Sequence, residues 1–137
     1  CMLSNTLNTN EVKDASATEV EFQRISTNDR KTIFATITEA PNAPHRLSVS
    51  HQETGSGQEL RRRSVIRLDK TVTGVSTDPR VVSAYVVLDA PVGDVSATTE
   101  IKNVLAELSS FCFTAASSTL LYDGTGNGAA ALISGGL

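Results

Sequence analysis

The stretch Ser83–Phe111, SAYVVLDAPVGDVSATTEIKNVLAELSSF, holds two periodicities joined by a short break. On its N-terminal side Val81–Ala90 (VVSAYVVLDA) is an apolar run whose length and β-branched content suit a central strand. After Val92, Gly93 and Asp94 the spacing of apolar residues changes from two to 3.6. Val95, Ile101, Val104, Leu105, Leu108, Phe111, Cys112 and Ala115 then share one helical stripe, with Asp94 or Ser96 placed as N-cap. The spacing predicts a helix over 96–115, about 30 Å long at 1.5 Å per residue.

Toward the N-terminus the period stays at two. Arg46–Gln52 (RLSVSHQ) and Glu59–Val72 (ELRRRSVIRLDKTV) alternate on either side of a Gly-containing turn, which reads as a hairpin. The polar loop Thr73–Pro79 (TGVSTDP) leads from the second of these runs toward Val81. Earlier, Val20 and Phe22 alternate with charged residues, and Lys31–Thr38 (KTIFATIT) follows a turn at 26–29. Residues 1–17 are polar and read as an extension, flexible or ordered only by a neighbour. The domain proper spans 18–122, with its sheet in 18–92. The Gly- and Ala-rich tail 123–137 has little capacity to fold alone. The chain begins at Cys1 rather than Met, as a processed cytoplasmic product would; an imposed boundary explains it equally well.

These elements predict an α+β domain, an antiparallel sheet with helix on one face. A helix is only ~10–12 Å wide. Five strands at a spacing of about 4.8 Å make a wider face than that. The remaining cover has to come from a second chain, so a homodimer is expected.

Composition removes several function classes. The chain has 137 residues, 14.5 kDa, 39% apolar residues, no Trp and a formal charge of −3. It is not basic along its length, but residues 42–70 carry six basic and three acidic side chains, a local +3 between acidic flanks. No stretch has the ~20 mostly apolar residues of a membrane span, and no secretion signal is visible. Two cysteines, Cys1 and Cys112, suffice for neither a disulfide framework nor a zinc site. Cys112 sits in the apolar stripe and reads as packing. His45 and His51 lack a surrounding ligand set and read as structural, so no metal is expected. There is no nucleophile-elbow motif. The Asp123–Gly128 run follows a helix instead of opening one and lacks the spaced oxygens of a calcium loop. No catalytic residues and no cofactor emerge.

Period-two parity sorts the strand residues into faces. Leu47, Val49, Ser64, Ile66, Leu68, Val82, Ala84, Val86 and Leu88 fall on the helix side, with Arg62 among them at the start of its strand. The other side collects Arg46, Ser48, Ser50, Arg61, Arg63, Val65, Arg67, Asp69, Tyr85, Val87 and Asp89. Arginines at strand spacing, small hydroxyls and one tyrosine suit phosphates and unstacked bases. An ordinary solvated sheet face has the same pattern, and pattern alone favours it.

The strand ending in AYVV, the VGDVSAT junction and the helix directly after it resemble the coat proteins of small single-stranded RNA bacteriophages, the levivirus group. The strand order over 18–122 is similar to that family as well. The resemblance implies an N-terminal hairpin, a five-stranded antiparallel sheet and a C-terminal helix in an intertwined dimer. It further implies a quasi-equivalent T=3 icosahedral shell, assembled in the host bacterial cytoplasm and found in the virion. Genomic RNA would line the face away from the helices, and an RNA hairpin bound there would repress replicase translation. On this resemblance the RNA-binding positions are Arg46, Ser48, Ser50, Arg61, Arg63, Val65, Arg67, Tyr85, Val87 and Asp89. Tyr85 would stack on RNA, while Val65 and Val87 stand where the family often has a polar group. The dimer interface would use Ile101, Val104, Leu105, Leu108, Phe111 and Cys112. Thr73, Gly74, Val75, Ser76, Thr77, Asp78 and Pro79 would form the loop that meets other dimers. The competing expectation is a non-assembling dimeric RNA-binding regulator with the same arginine–tyrosine face.

Overall fold

The hairpin around Gly55 is the backbone of the architecture. Strand β4 (His45–Thr54) pairs with β5 (Arg61–Thr73) in unbroken antiparallel register, from His45 opposite Lys70 to Thr54 opposite Arg61. The reversal uses Gly55 at φ +85° and a single 3₁₀ turn at Gly57–Glu59. A Cβ on Gly55 would lie 2.6 Å from the Glu59 carbonyl oxygen, so only glycine closes this turn. Strand β6 (Pro79–Ala90) then runs back along β5, from Thr73 opposite Pro79 to Arg62 opposite Ala90. Pro79 is tolerated because it is the first residue of its strand.

The computed structural model describes residues 5–8, 11–39, 43–73, 79–93, 98–115 and 119–136. Ahead of β4 lie β1 (Thr6–Leu7), β2 (Phe22–Thr27) and β3 (Lys31–Thr36), and the six strands form one antiparallel sheet in chain order. The sheet thus has six strands, because the N-terminal hairpin β2–β3 is continuous with it and β1 adds an edge. Thr6 faces Gln23, Leu7 faces Phe22, and the Arg24 amide donates to the Asn5 carbonyl at 2.7 Å. Between β1 and β2 the Asp14 carboxylate accepts the Ser16 and Thr18 amides, folding 11–20 into a tight loop. A bulge between Arg24 and Ser26 leaves Ile25 outside the β2–β3 ladder.

The predicted helix is present as α1 (Thr98–Phe113). Its expected caps, Asp94 and Ser96, lie outside the described residues. It ends before Ala115, because Thr114–Ala115 (β7) pairs with Thr119–Leu120 (β8). The tail, with little capacity to fold alone, forms a second helix, α2 (Asn127–Ser134), against α1. Backbone contact explains it. A Cβ on Gly126 would sit 2.3 Å from the Cys112 carbonyl oxygen, and one on Gly128 2.8 Å from the Phe111 ring. The glycines that give the tail little capacity to fold alone are what let α2 lie directly on α1.

The buried core is small. Phe22 and Phe34 are fully enclosed on β2 and β3, joined by Ala35, Thr36 and Ala90. The His45 ring meets Phe22 edge-on, with centroids 5.3 Å apart. By contrast Val104, Leu105, Leu108 and Phe111 on α1, and Ile66, Val82 and Val86 on β5 and β6, are exposed.

Candidate nucleic-acid face and uncovered apolar faces

The strand registers turn the parity reading into rows of neighbouring side chains. Across β4, β5 and β6 the rows read Arg46–Asp69–Ser83, Ser48–Arg67–Tyr85, Ser50–Val65–Val87 and Gln52–Arg63–Asp89. Arg61 continues the face opposite Thr54, and β3 adds Ile33 beside Ser48 and Lys31 beside Ser50. All ten predicted binding positions therefore share one face. Lys31 was missed because the KTIFATIT strand was not assigned a parity. Asp69 was placed on the face but not among the binding positions.

Charge on this face is organised by pairing. The Arg67 Nε donates to both Asp69 oxygens at 3.0 and 3.1 Å, and the Ser83 hydroxyl donates to the same carboxylate. Arg61 Nε lies 3.1 Å from Asp89, and Arg46 Nε 3.1 Å from Glu39. The Ser83 hydroxyl first, then Arg67, holds Asp69 below the usual carboxylate range. The Arg46 hydrogen bond does the same for Glu39. The Arg63 side chain makes no hydrogen bond or ion pair among the described residues. The Arg67 guanidinium carbon sits 5.6 Å from the centre of the Tyr85 ring, a cation–π distance. Tyr85 is 62% exposed, so the ring is open to a ligand.

Two grooves cut this face. One of about 560 Å³ is bordered by Asp29, Arg30, Lys31, Glu53, Arg63 and Val65 among others. A second of about 410 Å³ lies between Pro44, Arg46, Arg67, Asp69, Thr71 and Val81. Both combine cations and carboxylates with short polar and apolar walls, and in the first groove Glu53 pairs with Arg30, which leaves Lys31 and Arg63 as the cations open to a phosphate.

The reverse face is apolar at its centre. Its rows are His45–Lys70–Val82, Leu47–Leu68–Ala84, Val49–Ile66–Val86 and His51–Ser64–Leu88. His51 Nδ1 and the Ser64 hydroxyl share a hydrogen bond of 2.7 Å. Burial first, then Lys70, lowers the pKa of His45. No group of three or more His, Cys, Asp or Glu is placed to hold a metal among the described residues. Asp123 is capped by its own loop, accepting from the amide and hydroxyl of Thr125.

The predicted interface residues on α1 remain uncovered in the single chain. Phe111 is 61% and Leu108 49% exposed, while Ile101 and Cys112 are half-buried. Strand β6 ends the sheet order, so its outer side has no strand partner among the described residues. The accessible area is 9932 Å². A folded monomer of this mass exposes about 6,900 Å², so the surplus is about 3,000 Å² per chain. Of the predicted inter-dimer loop, Thr73 and Pro79 end β5 and begin β6, while residues 74–78 lie outside the described residues. Among the described residues no helix is long and apolar enough to cross a membrane.

No family model and no curated protein matches the sequence. Solved structures do match its shape. The coat protein of bacteriophage EMS014 superposes with a TM-score of 0.65 at 17% identity, covering 86% of this chain and 87% of that one. A virus-like particle of the same phage matches with a TM-score of 0.57 at 18% identity, covering 83% and 85%. The chain therefore shares the fold of the EMS014 coat protein, in line with the fold the resemblance implied.

Proposed function

We propose that the chain is the capsid protein of an RNA phage, a structural subunit with no catalytic role, whose dimers close into an icosahedral shell around single-stranded RNA. One observation carries the reading: the two sides of a single sheet are unfinished in complementary ways. One side exposes apolar rows next to an equally exposed apolar helix, and the other presents paired arginines and an open tyrosine.

In the proposed dimer, β6 strands of two chains meet edge to edge and each α1 lies over the partner's sheet. Ile101, Val104, Leu105, Leu108, Phe111 and Cys112 then cover Ile66, Val82 and Val86. Over two chains the surplus is about 6,000 Å², enough for an obligate interface, which buries on the order of 2,000–5,000 Å² or more counted over both partners. Covering the apolar side leaves the arginine face turned inward, where Arg46, Ser48, Ser50, Arg61, Arg63, Val65, Arg67, Tyr85, Val87 and Asp89 would meet RNA. A hairpin bound there would repress replicase translation. Residues 73–79 would join dimers, and the particle would be a T=3 virion assembled in the host cytoplasm. Sequence-independent phosphate contacts make packaging salt-sensitive.

The test is to purify the protein from cells, treat it with nuclease and measure the RNA that co-elutes with it. Capsid subunits give a large species that retains RNA after digestion. Free dimers that bind RNA yet leave it open to nuclease, at low and moderate salt, would overturn assembly and favour a regulator.

A further inference from the structure

We infer that Asp69 is a positioning residue for nucleic-acid binding: its carboxylate fixes Arg67 over Tyr85 with the outer edge of the guanidinium turned toward the ligand. The inference rests on the proposed RNA-binding role of this face. A carboxylate at the centre of a polyanion site opposes phosphate by simple Coulomb repulsion. The geometry assigns it a different task.

Arg67 and Tyr85 are cross-strand partners, and Asp69 and Ser83 are the partners two residues further along, on the same side of the sheet. Asp69 engages Arg67 solely through Nε, which reaches both carboxylate oxygens. Asp69 is itself held by the Ser83 hydroxyl. A guanidinium has five N–H donors, and pinning it through Nε leaves the two terminal nitrogens with their four. Those nitrogens make no hydrogen bond among the described residues. The planar fork that binds a phosphate in bidentate fashion is thus kept free and held beside the ring, 5.6 Å from its centre. Arg61 with Asp89 and Arg46 with Glu39 repeat the connection through Nε on the same face. A long side chain that would otherwise sample many rotamers is ordered before the ligand arrives, which lowers the entropy lost on binding.

Charge repulsion and positioning predict opposite signs. The full-length chain carrying Tyr122→Phe keeps Tyr85 as its sole tyrosine, so tyrosine fluorescence reports base stacking there. Titrated as RNA-free dimers, dissociated from shells, with a single-stranded oligouridylate at fixed salt, Asp69→Ala in this background is expected to bind about tenfold more weakly despite its extra positive charge. Its quench of Tyr85 emission is expected to be smaller. Ser83→Ala keeps every charge and is expected to shift both readouts in the same direction by a smaller factor; it carries the test alone where Asp69→Ala fails to assemble. Equal or tighter binding by these variants would overturn the inference. Arg67→Ala serves as the reference for the face itself. If it binds as the parent does, the RNA-binding reading fails; if it weakens while Asp69→Ala does not, positioning alone fails.

Discussion

Tyr85 separates binding from assembly at the level of one residue. Its ring lies on the arginine face, opposite the rows that α1 would cover. Tyr85→Ala is expected to weaken single-stranded RNA binding by about 1–3 kcal/mol per stacked base. Sedimentation of the same variant should show the same assembled species as the parent; failure to dimerise would reverse the assignment of faces. Titrating side chains add a pH dependence. Glu39 and Asp69 have folded pKa values below their ordinary ones, so their stabilisation is present above those ordinary values and fades as pH falls through the folded ones. His45 is also lowered, from about 6.5, because burial disfavours its charged form. The unfolded chain then takes up that proton first, and stability is lost as pH drops below 6.5. All three push the same way. Urea midpoints should fall from pH 8 toward pH 4, and His45→Phe should flatten the part nearest pH 6. The faces themselves were legible in the sequence, since period two fixes which residues share a side. The pairing of Asp69 with Arg67 was not, because it depends on side-chain rotamers rather than on spacing.

Individual elements differ in what holds them. Helix α1 depends on its apolar stripe finding cover: Leu105→Asp would place an unpaired carboxylate under that cover at a cost of about 3–5 kcal/mol. Gel filtration of the variant should show monomer or aggregate, whereas a stable dimer would place the interface elsewhere. Helix α2 depends on close backbone approach instead. Gly126→Ala introduces a methyl 2.3 Å from the Cys112 carbonyl oxygen, so α2 should lift away and residues 119–136 become sensitive to limited proteolysis. These two modes explain what the sequence revealed. The stripe from Ile101 to Cys112 announces α1 through its 3.6 period. Strand β1 and helix α2 carry no comparable signal, because Thr6–Leu7 is too short to alternate and Gly126–Ala131 is defined by what it lacks. Each is held by tertiary contact, with β2 in one case and α1 in the other.

For the whole molecule, the small core and the large exposed area are one property. Only a few side chains on β2, β3 and β6 are enclosed, while apolar groups on β5, β6 and α1 face outward. Net charge conceals the matching electrostatic division: −3 overall, but +3 within residues 42–70 that supply most of the arginine face. An obligate dimer has no separate monomer stability, so the thermal midpoint should rise with protein concentration. A midpoint independent of concentration would mean the chain folds alone. Shell closure is the central claim, and electron microscopy of the protein purified from expressing cells tests it most directly. Closed, uniform shells with density lining their inner surface are expected; a field of free dimers, with RNA supplied and salt kept low, would contradict it.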